Sequence, residues 1–181
     1  RRNIPLRTFI EGGAQERGKR AGTENLAGIC SMAAALKDAI DHLAENMAKE
    51  EEMRDILIEG LSAIPHSKLN GDRFKRLPGN VNMCFEGIEG ESLLLLLDAK
   101  GICASSGSAC TSGSLDPSHV LLALGLPHEV AHGSLRLSLC PENTVEEMHY
   151  IVQEVPKVVE YLRSISPVWE ELEKGERPHL I

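Results

Sequence analysis

"LPGNVNMCFEGIEGESLLLLLDAKG", residues 77–101, changes its hydrophobic period half-way along. In the first half Val81, Met83 and Phe85 alternate with polar or small residues, which puts them on one face of a β-strand. The second half starts with acids, runs through five leucines at 93–97 and stops at Gly101, a helix closed by a glycine C-cap. A strand and a helix this close together, each with apolar surface to bury, predict two packed layers of α and β structure.

Reading outward supports the same architecture. Upstream, "SKLNG" reads as a strand joined to "NVNMCFEG" by the basic turn "DRFKRLPG". Before it, "KEEEMRDILIEGLSAI" carries Met53, Ile56, Leu57, Leu61 and Ile64 at helical spacing and ends at Pro65. Earlier still, Thr23 reads as the N-cap of a helix with Leu26, Ile29, Ala33, Leu36 and Ile40 on one face. Downstream, "ICAS" reads as a short strand and "DPSHVLLALG" as a short helix with Asp116 at the cap and Pro117 in its first turn. "GSLRLSL" alternates as a strand. "TVEEMHYIVQEVPKVVEYLRSI" closes the fold as a helix with a capping box of Thr144 and Glu147. The expected fold class is α/β: a small, mostly antiparallel sheet with helices packed on it. The tail "PVWEELEKGERPHLI" is expected to run over the surface with Trp169 tacked down.

Bulk composition narrows the function. Aromatics are 3% of the 181 residues, so the core must be aliphatic, and a net charge of −8 argues against general nucleic-acid binding. No apolar run reaches membrane-spanning length, and the N-terminus lacks a signal-peptide shape. Five cysteines without CxxC or a Cys/His zinc spacing fit reduced thiols in a cytoplasm; no metal site is expected. The start on "RRNIPLRTF", without Met, reads as that of a fragment.

Three places could carry chemistry. In "ICASSGSACTSGS", residues 102–114, Cys110 sits between Gly107 and Gly113 among serines and alanines, a composition that predicts an exposed, mobile thiol able to carry a group; an incidental loop cysteine is the competing reading. Cys30, Cys84, Cys103 and Cys140 read as buried hydrophobes. Arg136, opposite the leucines of "GSLRLSL", is suited to hold a carboxylate with two hydrogen bonds, against the plainer reading of a solvated strand face. "GGAQERGKRAGTEN", residues 12–25, offers backbone N–H groups, Arg17, Lys19, Arg20 and the Thr23 hydroxyl, a weak anion-site pattern without P-loop spacing.

Taken together and in this order, "GGAQERGKRAGTEN", "LPGNVNMCFEGIEGESLL", "SSGSACTSG", "LDPSHVLLALGL" and "GSLRLSL" resemble the carboxy-terminal half of a cysteine desulfurase of the NifS/IscS type, within the class V aminotransferases. The resemblance implies the small domain of a fold-type I pyridoxal-phosphate enzyme: residues 1–24 a loop segment of the large cofactor domain, residues 25–181 the C-terminal small domain. It implies a cytoplasmic homodimer that converts L-cysteine to L-alanine and parks sulfur as a persulfide on Cys110, for an iron-sulfur scaffold or another acceptor. Arg136 then binds the substrate carboxylate and Thr23 the cofactor phosphate of the neighbouring subunit. The family's Schiff-base lysine, which follows a histidine, has no match here, so the chain alone is expected to be inactive. Ala14 stands where relatives often have a third glycine. A sulfur-carrying or partner-binding module without enzyme activity, and a selenocysteine lyase, are the alternatives.

Overall fold

The computed structural model describes residues 5, 7–106 and 117–181. The chain divides into two compact units, Arg1–Leu43 and Ala44–Ile181.

In the first unit the glycine-rich segment makes one distorted turn, α1 (Gln15–Gly18), where Glu16 and Arg17 take left-handed backbone angles (φ 51° and 60°). Helix α2 (Leu26–Asp41) follows. Its cap is Asn25, not the expected Thr23: the Asn25 side chain accepts the Gly28 N–H at 3.1 Å. A capping oxygen has to sit three residues before the N–H it receives, and Thr23 lies too early for that. The predicted stripe forms at helical spacing, but no residue of α2 is buried, and Leu26, Ile29, Leu36 and Ile40 are all about half exposed or more.

The second unit is a three-stranded antiparallel sheet backed by helices. Helix α3 (Leu43–Ser62) enters it, then β1 (Ser67–Leu69), β2 (Asn80–Phe85) and α4 (Gly90–Asp98) follow. Beyond residues 107–116 come two short helices, α5 (His119–Ala123) and α6 (His128–His132), then β3 (Ser134–Ser138), α7 (Val145–Ser164) and α8 (Pro167–Glu173). The strand order is β1-β2-β3, with Lys68 opposite Cys84 and Asn82 opposite Arg136.

The two faces of the sheet differ as the alternation requires. Val81, Met83, Phe85, Leu135 and Leu137 point into the main core, against Met53, Leu57 and Leu61 of α3, Leu93 and Leu97 of α4, and Met148, Val155 and Val159 of α7. Each of these large side chains contributes roughly 1.5–3 kcal/mol on leaving water. The five-leucine run resolves by helical geometry: Leu93 and Leu97, four apart, are buried, while Leu95 is 69% exposed. Glu89 caps α4 by accepting the Glu91 and Ser92 N–H groups. Past its end, Gly101 takes φ +75°, which lets the Ile102 N–H return to the Leu97 oxygen.

Several local expectations change. "ICAS" forms a single bridge, Ser105 to Arg136, in place of a strand. Asp116 lies outside the described residues, and Pro117 precedes α5, whose cap position is Ser118. The tail opens with a short helix that the sequence reading did not include: the Ser166 side chain caps α8 by accepting the Trp169 N–H, with Pro167 at its first position. Only Cys84 among the described cysteines is buried; Cys30, Cys103 and Cys140 are exposed. Cys30 belongs to a helix with no buried residue, and Cys103 and Cys140 lie outside the strands, where no neighbouring layer covers them.

Candidate functional site

The second face of the sheet is polar where it is open. Asn80 and Asn82 of β2 stand opposite Ser138 and Arg136 of β3. At the Cys84 end this face is closed by Leu121, Leu126, Val130 and Ala131. Burial pushes the Cys84 thiol up, although Asn70 donates to its sulfur at 3.2 Å, so it stays a protonated core residue.

Arg136 is exposed at the centre of β3, as the alternation predicts. Its backbone exchanges two hydrogen bonds with Ser105, Arg136 N–H to the Ser105 oxygen at 2.6 Å and Ser105 N–H to the Arg136 oxygen at 3.0 Å. The guanidinium Nη2 also donates to the Ser105 Oγ at 3.2 Å. The root of the 102–114 segment is thus fastened to the residue expected to hold a carboxylate. Ser105 is the guanidinium's hydrogen-bond partner among the described residues, and a planar fork of donors suits a planar anion. Cys110 itself lies outside the described residues.

Thr23 belongs to the first unit. Its hydroxyl is exposed, and the Arg20 Nη1 donates to the backbone oxygens of Gly22 and Thr23 at 2.9 and 3.0 Å. Residues 16, 17, 18 and 22 take left-handed backbone angles, and within this turn the Gly18, Lys19 and Ala21 N–H groups donate to the Ala14, Glu16 and Ile10 oxygens.

The comparisons with known proteins agree with one another. The profile of the family described as aminotransferase class-V matches residues 11–151. The chain belongs to the class-V aminotransferases. Among its curated relatives, this class-V chain is 52% identical over 176 residues to a protein of Clostridium botulinum named cysteine desulfurase IscS, covering 96% of the chain and 44% of the relative. It is also 52% identical to a Methanosarcina thermophila protein of the same name, covering 93% of the chain and 42% of the relative. The chain therefore spans less than half the length of the curated relatives it matches. Among solved structures, a NifS-like protein superposes with TM-score 0.77 at 33% identity, covering 90% of this chain and 41% of that one. A NifS-like protein from Rickettsia africae gives 0.76 at 27%, covering 87% and 41%. The α/β architecture with its small antiparallel sheet is that of these structures.

A pyridoxal-phosphate site requires a lysine for the Schiff base together with groups that hold the ring and the phosphate. All eight lysines of the class-V chain are exposed; Lys100 and Lys157 are paired with Glu154, Lys37 with Asp41 and Lys174 with Glu170. The residues present fit the phosphate end alone, through Thr23 and its turn. They do not fit the whole group, and no chemical step is derived through it.

Proposed function

We propose that this chain is the C-terminal part of a cysteine desulfurase, a pyridoxal-phosphate enzyme that converts L-cysteine to L-alanine and keeps the sulfur on Cys110. The observation that carries the reading is the fastening of Ser105 to Arg136, which ties the root of the segment bearing the cysteine to an exposed arginine. The 52% identity to proteins named cysteine desulfurase points the same way. Residues 1–24 are assigned to the large cofactor domain and residues 25–181 to the small one, in a cytoplasmic homodimer that passes sulfur to an iron-sulfur scaffold or another acceptor.

Each residue has a physical task. Arg136 orients L-cysteine by holding its carboxylate. Thr23 donates its hydroxyl to the cofactor phosphate across the dimer. Cys110 attacks as thiolate on the substrate sulfur: a new S–S bond forms, the Cβ–S bond of the substrate breaks, and its electron pair stays on the alanine carbon, which is then protonated. Pyridoxal phosphate, with Thr23 at its phosphate end, would supply the electron sink for that carbon. Cys110 is five positions along the chain from Ser105, so covalent geometry limits its reach to about 18 Å from that anchor. Such a span lets one thiol take sulfur beside Arg136 and offer it to an acceptor. The exposed apolar stripe of α2 is the surface left for the rest of the longer protein.

The test is turnover of L-cysteine by the intact protein carrying Cys110→Ser. Alanine and sulfide formation should collapse while absorbance of the bound cofactor persists; sulfur release at the wild-type rate would remove Cys110 from the mechanism.

A further inference from the structure

At the end of β2 the chain buries a carboxylate that the sequence did not single out. The Glu86 side chain is 5% exposed. The Leu180 N–H donates to its Oε1 at 2.6 Å, while His179 Nδ1 lies 2.8 Å and His66 Nδ1 3.5 Å from its Oε2. A buried anion is costly unless cations or several donors answer it. Arg163 is close, yet its Nε donates to the Glu86 main-chain oxygen, its Nη1 to Pro65 and its Nη2 to His66, all backbone oxygens. The carboxylate's own neighbours are one amide and two imidazoles, and the Arg163 charge acts on it from nearby.

The three donor atoms come from separate segments and lie within 4.8 Å of one another. Two imidazole nitrogens and a carboxylate oxygen make a donor set that suits zinc and its neighbours. Tetrahedral coordination with bonds of about 2.0–2.2 Å sets ligand atoms about 3.3–3.5 Å apart, and His66 and Glu86 already stand at 3.5 Å. We propose that His66, Glu86 and His179 bind one divalent transition-metal ion of the zinc class, clipping the segment after α8 to the end of β2.

One rearrangement is required. The two rings are stacked, with centroids 3.7 Å apart and planes 20° apart, and an ion in the plane of one such ring lies out of the plane of the other. Binding therefore turns one ring out of the stack. His179, on the exposed final segment with a side chain 32% exposed, has the room. Each neutral imidazole offers its Nδ1 lone pair by carrying its proton on Nε2. The hydrogen bonds of Nδ1 to Glu86, and of His66 Nδ1 to the Ile181 oxygen, then give way to metal bonds. Glu86 borders one cleft, with Arg177 and Leu180, and the two histidines border another; a water from either would complete the coordination.

The site has its own reporter. Trp169, the chain's single tryptophan, stands edge-on to both imidazoles at 5.5 and 5.7 Å. Co²⁺ titrated into the metal-stripped intact protein should quench Trp169 emission, saturate at one ion per chain and be displaced by Zn²⁺; Trp169→Phe should remove that signal. His179→Ala and Glu86→Gln should each weaken binding by about tenfold or more, and His149→Ala, on the surface of α7, should not. His179 lies on an exposed segment, so its variant keeps the fold, as far-UV circular dichroism will check. Absence of saturable quenching, or wild-type affinity in His179→Ala, would overturn the proposal.

Discussion

Replacing Arg136 with alanine is the perturbation whose effect follows most directly from the strand that carries it. One of its N–H groups is committed to the Ser105 Oγ at 3.2 Å, leaving enough of the fork to grip a carboxylate with two parallel bonds. Charge-assisted bonds contribute about 1.5–3 kcal/mol each. Solvent screening at this exposed site lowers the pair to about 2–4 kcal/mol, a factor of roughly 30 to 1,000 in kcat/KM. The backbone exchange with Ser105 does not involve the side chain, so the segment root stays in place. Arg136→Lys keeps the charge without the fork and should recover about tenfold of the loss. The assay is alanine formation from L-cysteine by the intact protein at saturating cofactor. Activity of Arg136→Ala within about threefold of wild type would refute the carboxylate role.

Three further outcomes test the scaffold. A Cβ on Gly133 would overlap the Phe85 carbonyl oxygen and lie 3.2 Å from that of Ile88, so Gly133→Ala should displace the start of β3, cost about 1–3 kcal/mol in chemical denaturation and lower turnover with it; an unchanged midpoint would contradict the packing. Under native conditions a thiol reagent should modify Cys103 and Cys140 rapidly and Cys84, buried with its thiol pushed up, only on unfolding, as peptide mass mapping will show. Glu147 is held below the ordinary glutamate value of 4.5 first by the Asn143 side chain and then by the Thr144 N–H. A depressed carboxylate stabilises the fold above its unfolded value and loses that contribution as the pH falls through the folded one. Glu147→Gln should therefore be less stable than wild type at neutral pH, and the gap should close in thermal melts below pH 4.5.

The alternations Val81-Met83-Phe85 and Leu135-Leu137 were readable because a strand with one buried face imposes a period of two, and the Thr144–Glu147 box because capping chemistry is local. Arg136 was readable for the same reason, as the polar interruption of a leucine face. The Thr23 cap failed through competition between two good cap residues two positions apart, which only the helix phase decides. Helix α6 has too few apolar residues to show a period, while α8 did carry a signal, Ser166 followed by Pro167, at the start of a tail read as running over the surface. Cys103 looked buried because its neighbours are apolar, yet burial depends on a covering layer that a single bridge to Arg136 does not supply. His66, Glu86 and His179 could not be grouped by spacing at all, since only the return of the final segment to the end of β2 brings them together.

The proposed sulfur acceptor is the Cys110 thiol. Intact protein mixed with L-cysteine, alkylated, digested and analysed by mass spectrometry should show the Cys110 peptide heavier by one sulfur atom, with Cys103 in its unmodified state and no extra sulfur in Cys110→Ser. Sulfur found on Cys103 or Cys140, or persisting in Cys110→Ser, would contradict it.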